Sequence, residues 1–548
     1  MTPSARLADE GTVKIIISKY SPINRVAVIA NPYDWLEASF YYNDINVKRY
    51  FPGSSQSYKD KGFSFKIKIN EESDNLPSVA LGFDDIAGTS IFKSEYIVMN
   101  KLIGPFDISL GYGFGALGSL DNVHNIFRDA ERSRWDFSTG GELNTKDFFK
   151  GDSALFGGLV FNIPFLKKSQ FLIEYDSDDY SNYYDLVPDY RRYEPESNFN
   201  YGFKVGLKDN FTLSAGFIKG NELSFSLESK INISDSPRQN FAIQKRSQQS
   251  EYNSILEDLR SKLIFVQNIN IDHKNKTISI TYAQASYHSQ ERIAKGIKDY
   301  LRNKFGSREY QITLASMNGA YDLSEITFNP YSESPVYNAY KIREYQFNPS
   351  IKFPVSNFSY GPNITSHIGS PSGFFFGALE AQFNWEIAFT RNFQINSNYS
   401  VNLFDNFDDM DYNSNPTDLY PVRTDIQEYL KEGEKGFNEF TFNYFKSLGK
   451  NNFLHLSLGH FERMYSGTHI EFLSRPFDEV FSYGFEISSV KQREYSRSFT
   501  KFKDFETNVG HLNFYLYEPS SNILAHFSAG KYLAGDEGYT FDISRYFK

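Results

Sequence analysis

Strict alternation of apolar and polar residues constrains this chain most. In WLEASFYYND (35–44), Leu36, Ala38, Phe40 and Tyr42 fall on one side of an extended chain, and Glu37, Ser39, Tyr41 and Asn43 on the other. Successive strand side chains point to opposite faces, so one face wants an apolar neighbour and the other wants water. The period of two recurs at Phe63, Phe65, Ile67 and Ile69, at Phe106, Ile108, Leu110, Tyr112 and Phe114, and at Phe199, Tyr201, Phe203 and Val205. It recurs again at Phe211, Leu213, Ala215 and Phe217. The mean hydropathy of −0.48, beside 17% aromatic residues, follows from this pattern. Alternation averages to polar even where one face is wholly apolar.

Twelve strands are predicted before residue 232, at about 13–20, 24–31, 35–43, 62–70, 77–84, 91–101, 105–114, 153–162, 168–176, 199–207, 211–218 and 222–231. Their connections are lopsided. The long ones, 44–61, 115–152 and 177–198, follow the third, seventh and ninth strands, and every connection after an even-numbered strand is short. Antiparallel pairing gathers the odd loops at one end, and long loops opposite short turns is how a transmembrane barrel is built. A two-sheet sandwich has no reason to sort its loops. Gly111, Gly113, Ser214 and Gly216, on the side opposite the aromatics, suit a narrow lumen. The apolar faces are therefore expected to meet lipid, with every backbone group paired by closure. No run of about 18 apolar residues marks a transmembrane helix.

The pattern breaks over 248–328. Tyr252, Ile255, Leu256, Leu259 and Leu263 follow helical spacing, and Ile293, Ile297, Tyr300 and Leu301 do so again after Ser289 as a candidate N-cap. Strand-like runs lie at Thr277–Ala283 and Tyr310–Ser316, which predicts a small α/β domain. An even strand number before it returns the chain to the side it entered, so this domain is expected in the periplasm. Alternation resumes beyond about 335, for example at Phe383, Trp385 and Ile387 and at Leu512, Phe514 and Leu516. The predicted fold is all-β dominated, with tandem antiparallel transmembrane barrels at 1–235 and 331–548 joined by a periplasmic α/β domain at 236–330. The second barrel is expected to lack its last strands.

With 548 residues, more than one domain is required. The absence of cysteine removes disulfides and thiolate sites, and a net charge of −10 argues against nucleic acid. The opening MTPSARLADEG shows neither the basic start nor the apolar run of a secretory leader. Either the protein stays inside the cell or its leader lies outside this sequence.

TPSARLADEG at 2–11, WLEASFYYND, QSYKDKGFSFKIKI at 56–69 and VALGFDDIAGTSIFKSEYIVMNK at 79–101 resemble the YjbH/GfcD-like family of outer-membrane proteins. ALFGGLVFNIPF at 154–165, LIEYDSDDY at 172–180, GHLNFYLY at 510–517 and AGKYLAGDEGYTFDISRYF at 529–547 extend the likeness along the whole chain. It is most specific at LAGDEG followed by DISR. The resemblance implies a tandem-barrel protein of Gram-negative exopolysaccharide and capsule operons, made with a cleaved leader and often a lipidated cysteine. It implies a role in exporting or assembling a surface polysaccharide, and members that begin earlier and continue beyond the DISR-like motif imply that this chain is a fragment.

The densest polar-aromatic run is YDSDDYSNYYDLVPDYRRYEPE at 175–196. Sugars stack their C–H faces on rings and bond their hydroxyls to carboxylates, so Tyr180, Tyr183, Tyr184, Tyr190 and Tyr193 with Asp178, Asp179 and Asp185 are candidate polysaccharide contacts. The plainer reading is a solvated loop with girdle tyrosines. Asp176, Asp178 and Asp179 suggest calcium, but the fifth and sixth loop positions hold Tyr180 and Ser181 where an oxygen ligand and glycine are needed. The acidic loop at 405–418 fails the same way. GYGFGALG at 111–118 sits at a strand end and not between a strand and a helix. The nine histidines are scattered; His455 and His460, five apart, face opposite sides of a strand. No nucleophile with an adjacent base can be named, so no enzyme activity, metal or cofactor is expected. Glu37, Ser39, Lys66, Lys68, Asp107, Lys204 and Glu386 are expected to line the lumens. Expected partners are outer-membrane lipid, an extracellular polysaccharide and periplasmic export proteins. The competing functions are a general porin, a surface adhesin and a barrel enzyme acting on lipid or glycan.

Overall fold

Twelve antiparallel strands close into a barrel: β1 (Thr12–Tyr20), β2 (Ile23–Tyr33), β3 (Leu36–Arg49), β4 (Ser57–Asn70), β5 (Ser78–Asp84), β6 (Ser94–Ile103), β7 (Phe106–Gly115), β8 (Ser153–Asn162), β9 (Ser169–Tyr175), β10 (Phe199–Gly206), β11 (Phe211–Ile218) and β12 (Glu222–Asn232). The computed structural model describes residues 2–49, 57–127, 130–132, 145, 147–166, 168–180, 194–207, 210–233, 251–284, 290–306, 309–332, 334–338, 353–370, 373–410, 420, 422–423, 425–449, 451–476 and 479–547. Closure comes from β1 pairing with β12 in the register Thr12↔Asn232 to Tyr20↔Ser224. Chain entry at Thr12 and exit at Asn232 therefore share one end, and the same end carries the short turns.

The wall sorts as the alternation demands. Ile15, Ile17, Phe63, Leu110, Phe203, Leu213 and Leu223 all stand exposed on the outside. Ile17 is 53% and Leu223 62% exposed, values no soluble core residue shows. Lys14, Ser18, Lys66, Ser109, Lys204, Ser214 and Ser226 occupy the alternate positions facing in. Closure leaves no unpaired edge, which is what lets an apolar wall sit in a medium that cannot hydrogen-bond.

The chain divides into two compact units, one holding the barrel and the other the rest from about residue 238. The second unit begins with an α/β region: α1 (Glu251–Arg260), β13 (Ile264–Asp272), β14 (Thr277–Gln284), α2 (Gln290–Phe305), β15 (Gln311–Asn318), β16 (Tyr321–Phe328) and β17 (Val336–Asn338). Its sheet runs in sequence order. Only β14 and β15 are parallel, and α2 supplies the crossover a parallel pair needs. Ile255 and Leu259 of α1 and Ile293, Ile297 and Leu301 of α2 are buried against Ile269, Ile280, Ile312 and Leu314. These are the positions that helical spacing singles out.

Ten further strands follow: β18 (Val355–Ser370), β19 (Gly373–Ala388), β20 (Phe393–Asp405), β21 (Lys435–Ser447), β22 (Asn452–His460), β23 (Tyr465–Ser474), β24 (Phe481–Arg493), β25 (Phe502–Glu518), β26 (Ile523–Lys531) and β27 (Glu537–Arg545). They form an open sheet in sequence order. Among the described residues this sheet does not close, and an open sheet is what a second barrel expected to lack its last strands would show. β18 and β27 are its edges, and on β27 Tyr539 stands 77% exposed beside Phe541 and Ile543. A ladder between the two edges is what closure requires, and alternation alone does not supply it. The α/β region seats on the turns of this sheet: the Tyr321 hydroxyl donates to the Leu454 carbonyl at 3.1 Å, the Asp322 N–H to Ser447 Oγ at 2.9 Å, and Arg391 pairs with Asp322.

Candidate functional site: the barrel interior, its caps and the polar face

The predicted lumen residues lie on the inward face of the barrel. Glu37 and Lys66 pair at 2.9 Å on neighbouring strands, and Lys204 stands opposite Gln170 and Ser214. Asp107, however, does not face open space. The segment before β1 enters the lumen from the short-turn end. Its Ala5 is 1% exposed and packs with Ala80, Tyr96, Val98, Phe156 and Leu117. The Ala5 N–H donates to Asn100 Oδ1 at 2.8 Å, and Arg6 donates to both Asp107 oxygens at 2.9 and 2.8 Å. The same guanidinium reaches Glu72 at 2.6 Å, and Lys66 Nζ donates to the Arg6 carbonyl at 3.2 Å. Two residues expected to set what passes are thus partners of a plug. Sequence reasoning missed it; the only trace is a short non-alternating stretch before the first strand.

The inward glycines have a stated task. Gly82 is the direct cross-strand partner of Tyr96, and a Cβ on it would lie 2.1 Å from the tyrosine ring. A Cβ on Gly111 would meet the Phe156 ring at the same distance, again across a direct pair. Missing side chains let inward rings lie flat over the neighbouring strand and fill the lumen on the β3–β8 side. Inward Lys204, Ser214 and Glu228 on the β10–β12 side keep partial access to water.

The long-loop end is capped. Ile91, from the connection after β5, is buried with Ile23 and Ile45, and Tyr180 packs on that cluster. The Tyr180 hydroxyl donates to Asp176 at 2.8 Å, and the Lys219 ammonium sits 3.8 Å over its ring. One face of Tyr180 is therefore covered by a cation. Asp178 accepts the Tyr180 N–H at 2.7 Å, and the Asp179 N–H donates to Ser119 Oγ at 2.8 Å. Although Asp178 as a residue is only part-buried, enclosure of its carboxyl, with the Asp176 charge adding, pushes its pKa up to about 8. Burial pulls the Lys219 ammonium down, against the pull of Asp178 and Asp176. Tyr183, Tyr184, Asp185, Tyr190 and Tyr193 lie outside the described residues.

One feature of the outer wall gave no sequence signal. Glu95 faces outward yet is fully buried, because the connection after β7 folds back over it. Arg132 pairs with it at 2.8 Å and the Phe149 N–H donates at 3.1 Å. Phe83, Phe114, Phe148 and Phe149 close over the pair in mutual ring contacts.

Glu386 belongs to the second unit. Expected to line the lumen of the second barrel, it lies on the polar face of the ten-stranded sheet, opposite Asn396. That face carries amides, histidines and carboxylates: Asn398 binds Asn384 at 2.6 Å and Asn438 at 2.7 Å, and His511 lies 3.0 Å from Glu486. A cavity of about 590 Å³ there is lined by Arg423, Arg463, Glu439, Asn398, Asn438 and Phe461. Ile426 and Met464 line it as well, so charged and amide groups stand there beside apolar side chains.

The YjbH family model, described as exopolysaccharide biosynthesis protein YbjH, matches residues 1–548. An uncharacterized lipoprotein of Escherichia coli (strain K12), YjbH, is 27% identical over 586 residues, covering all of this chain and 83% of the relative. Among solved structures, the KdgM porin (9% identity, TM-score 0.23) matches 40% of this chain and 97% of its own, and the NanC porin (10%, 0.23) matches 39% and 97%. At those scores they add nothing to the strand pairing itself. The match along its full length is the finding that counts: the chain belongs to the YjbH family of exopolysaccharide biosynthesis proteins.

Proposed function

We propose that this protein works in the outer membrane of a Gram-negative cell, where it helps export or assemble an extracellular polysaccharide. The observation that carries this reading is the first barrel's wall, apolar outside and fully paired, in a chain of an exopolysaccharide family. Lipid is the medium that satisfies such a wall. Because the barrel's entry and exit share the short-turn end, that end is the periplasmic one in this reading. The α/β region then lies in the periplasm and offers a surface to export partners. The long-loop cap and the cavity beside Arg463 are the polymer-facing candidates, and no catalytic step is assigned.

A general porin is the weaker reading, since the segment around Ala5 and Arg6 occupies the lumen. Deletion in the native host, with polymer measured on the surface and in the periplasm, tests the proposal. Periplasmic retention with loss of surface polymer is expected; unchanged amounts in both places overturn it. Recovery of the chain as a stable monomer in detergent-free buffer overturns the membrane reading by itself.

A further inference from the structure

The polar face of the ten-stranded sheet carries one straight row of ionisable side chains. His455, Glu471, Glu486 and His511 are successive cross-strand partners on β22, β23, β24 and β25. Glu471 and Glu486 thus stand directly opposite each other, an arrangement that weakens a sheet unless positive charge intervenes. His511 Nδ1, 3.0 Å from Glu486 Oε1, attends to the second carboxylate. The first is approached from two sides, by His455 Nδ1 at 3.6 Å and by His469 Nε2 at 3.8 Å. His469 is two residues before Glu471 on β23, so both share a face.

The far nitrogens of both rings are already held. His455 Nε2 lies 3.0 Å from Asn443 Oδ1, an acceptor, so this nitrogen carries the proton. The Asn443 amide is itself fixed, because its Nδ2 donates to Thr441 Oγ1 at 2.9 Å. Stacking on Phe445, with ring centroids 4.4 Å apart, sets the ring plane. A neutral His455 therefore points a bare lone pair at a carboxylate. His469 Nδ1 lies 2.8 Å from Ser488 Oγ, a hydroxyl able to donate or accept; where it accepts, His469 Nε2 turns a second lone pair toward Glu471. Two lone pairs and a carboxylate that converge repel one another; a cation among them removes the conflict. Metal-binding histidines are oriented in this way, through the nitrogen that does not bind.

We propose that His455, His469 and Glu471 bind one divalent transition ion, with Zn²⁺ the best fit to two imidazoles, a carboxylate and no thiolate. The three ligand atoms lie within 4.8 Å of one another. Donors about 2.1 Å from a tetrahedral ion stand about 3.4 Å apart, so a small contraction completes the site. His455 and Glu471 also line a cavity of about 420 Å³, together with Gln284, Gln290, Met317 and Tyr321 of the α/β region. The remaining coordination position opens toward that cavity, where water or a ligand donor completes the shell. The ion would thus sit beneath the seat of the α/β region. The spacing H-x13-H-x-E gives no sequence signal, because cross-strand register alone brings these residues together.

The competing arrangement has both imidazoles protonated around Glu471, with no metal. Zn²⁺ titration of the full chain in detergent micelles, by calorimetry at pH 7.5, separates the two. One saturable Zn²⁺ per chain is expected, lost in the His455→Asn/His469→Asn double variant and retained in His526→Asn. Asn443→Ala should weaken binding by roughly 10- to 100-fold, the usual effect of losing an orienting partner. Absence of stoichiometric binding by the unaltered protein overturns the proposal whatever the variants do. So does undiminished binding in the double variant.

Discussion

The closed barrel and the open sheet carry the same alternation and present the same kind of apolar outer face, yet their inner faces differ. In the barrel, rings such as Tyr96 and Phe156 lie over glycines, and Ala5 completes an apolar cluster with them beside the Arg6–Asp107 pair. On the open sheet the inner face is amides, histidines and carboxylates bound to one another. The outward period of two thus specifies only the medium outside. Whether the inside packs or stays wet depends on the sizes of the residues in between.

Adding a methyl group tests this contrast most severely. Gly82→Ala places a Cβ against the Tyr96 ring, and Gly111→Ala places one against Phe156. Each should destabilise the barrel by about 1–3 kcal/mol, the usual cost of overpacking. Gly538→Ala, on edge strand β27 with its nearest neighbour at 3.5 Å, should stay within about 0.5 kcal/mol. Urea-unfolding midpoints in micelles, followed by fluorescence, measure the difference. Equal effects at the three sites would show that the barrel interior is no more tightly packed than the sheet's edge.

The plug is the next lever. Arg6→Glu removes the bonds to Asp107 and Glu72 and sets three negative charges together. The Arg6 side chain is 37% exposed, so the loss should be moderate, about 1–2 kcal/mol. It should appear as faster amide exchange over residues 2–11 and as ion conductance in planar bilayers that the unaltered protein lacks. Equal conductance in both would mean that this segment does not block the lumen.

These two tests also mark how far the sequence could be read. All twelve barrel strands, the inward placement of Glu37, Lys66 and Asp107, and the helices around Ile255 and Ile297 follow from periodicity, which is local. Closure of the second sheet is not local: it depends on whether two strands nearly 200 residues apart pair, and Val355 and Arg545 carry no mark of that. The same holds for contacts made across strands. Arg6 with Asp107, Glu95 with Arg132, and His455 with Glu471 each join segments that nothing in either segment alone connects. Tyr180 shows the same limit: composition marks it as a candidate sugar contact, and only the fold adds Asp176, Lys219 and an apolar cluster as its neighbours.

The smallest expected effect concerns the cap at the long-loop end. The Asp178 carboxyl titrates near 8 in the folded chain, against about 3.9 for a free aspartate. Between those values the folded state holds the extra proton. Its contribution to stability is therefore full below about pH 4 and is lost as the pH rises through about 8. Asp85, in the connection after β5, is pushed up to about 7 by burial, with Asp60 adding, and acts in the same direction. Lys219, pulled down by burial, opposes them. Protection of the cap amides at 176–180 should accordingly be greater at pH 5 than at pH 8.5. After correction for intrinsic exchange, the change should be on the order of fivefold, the factor that 1 kcal/mol gives. Asp178→Asn keeps an acceptor for the Tyr180 N–H while removing the titration, so it should flatten most of that dependence. A variant that keeps the full pH response would place its origin elsewhere, with Asp85 the next group to test.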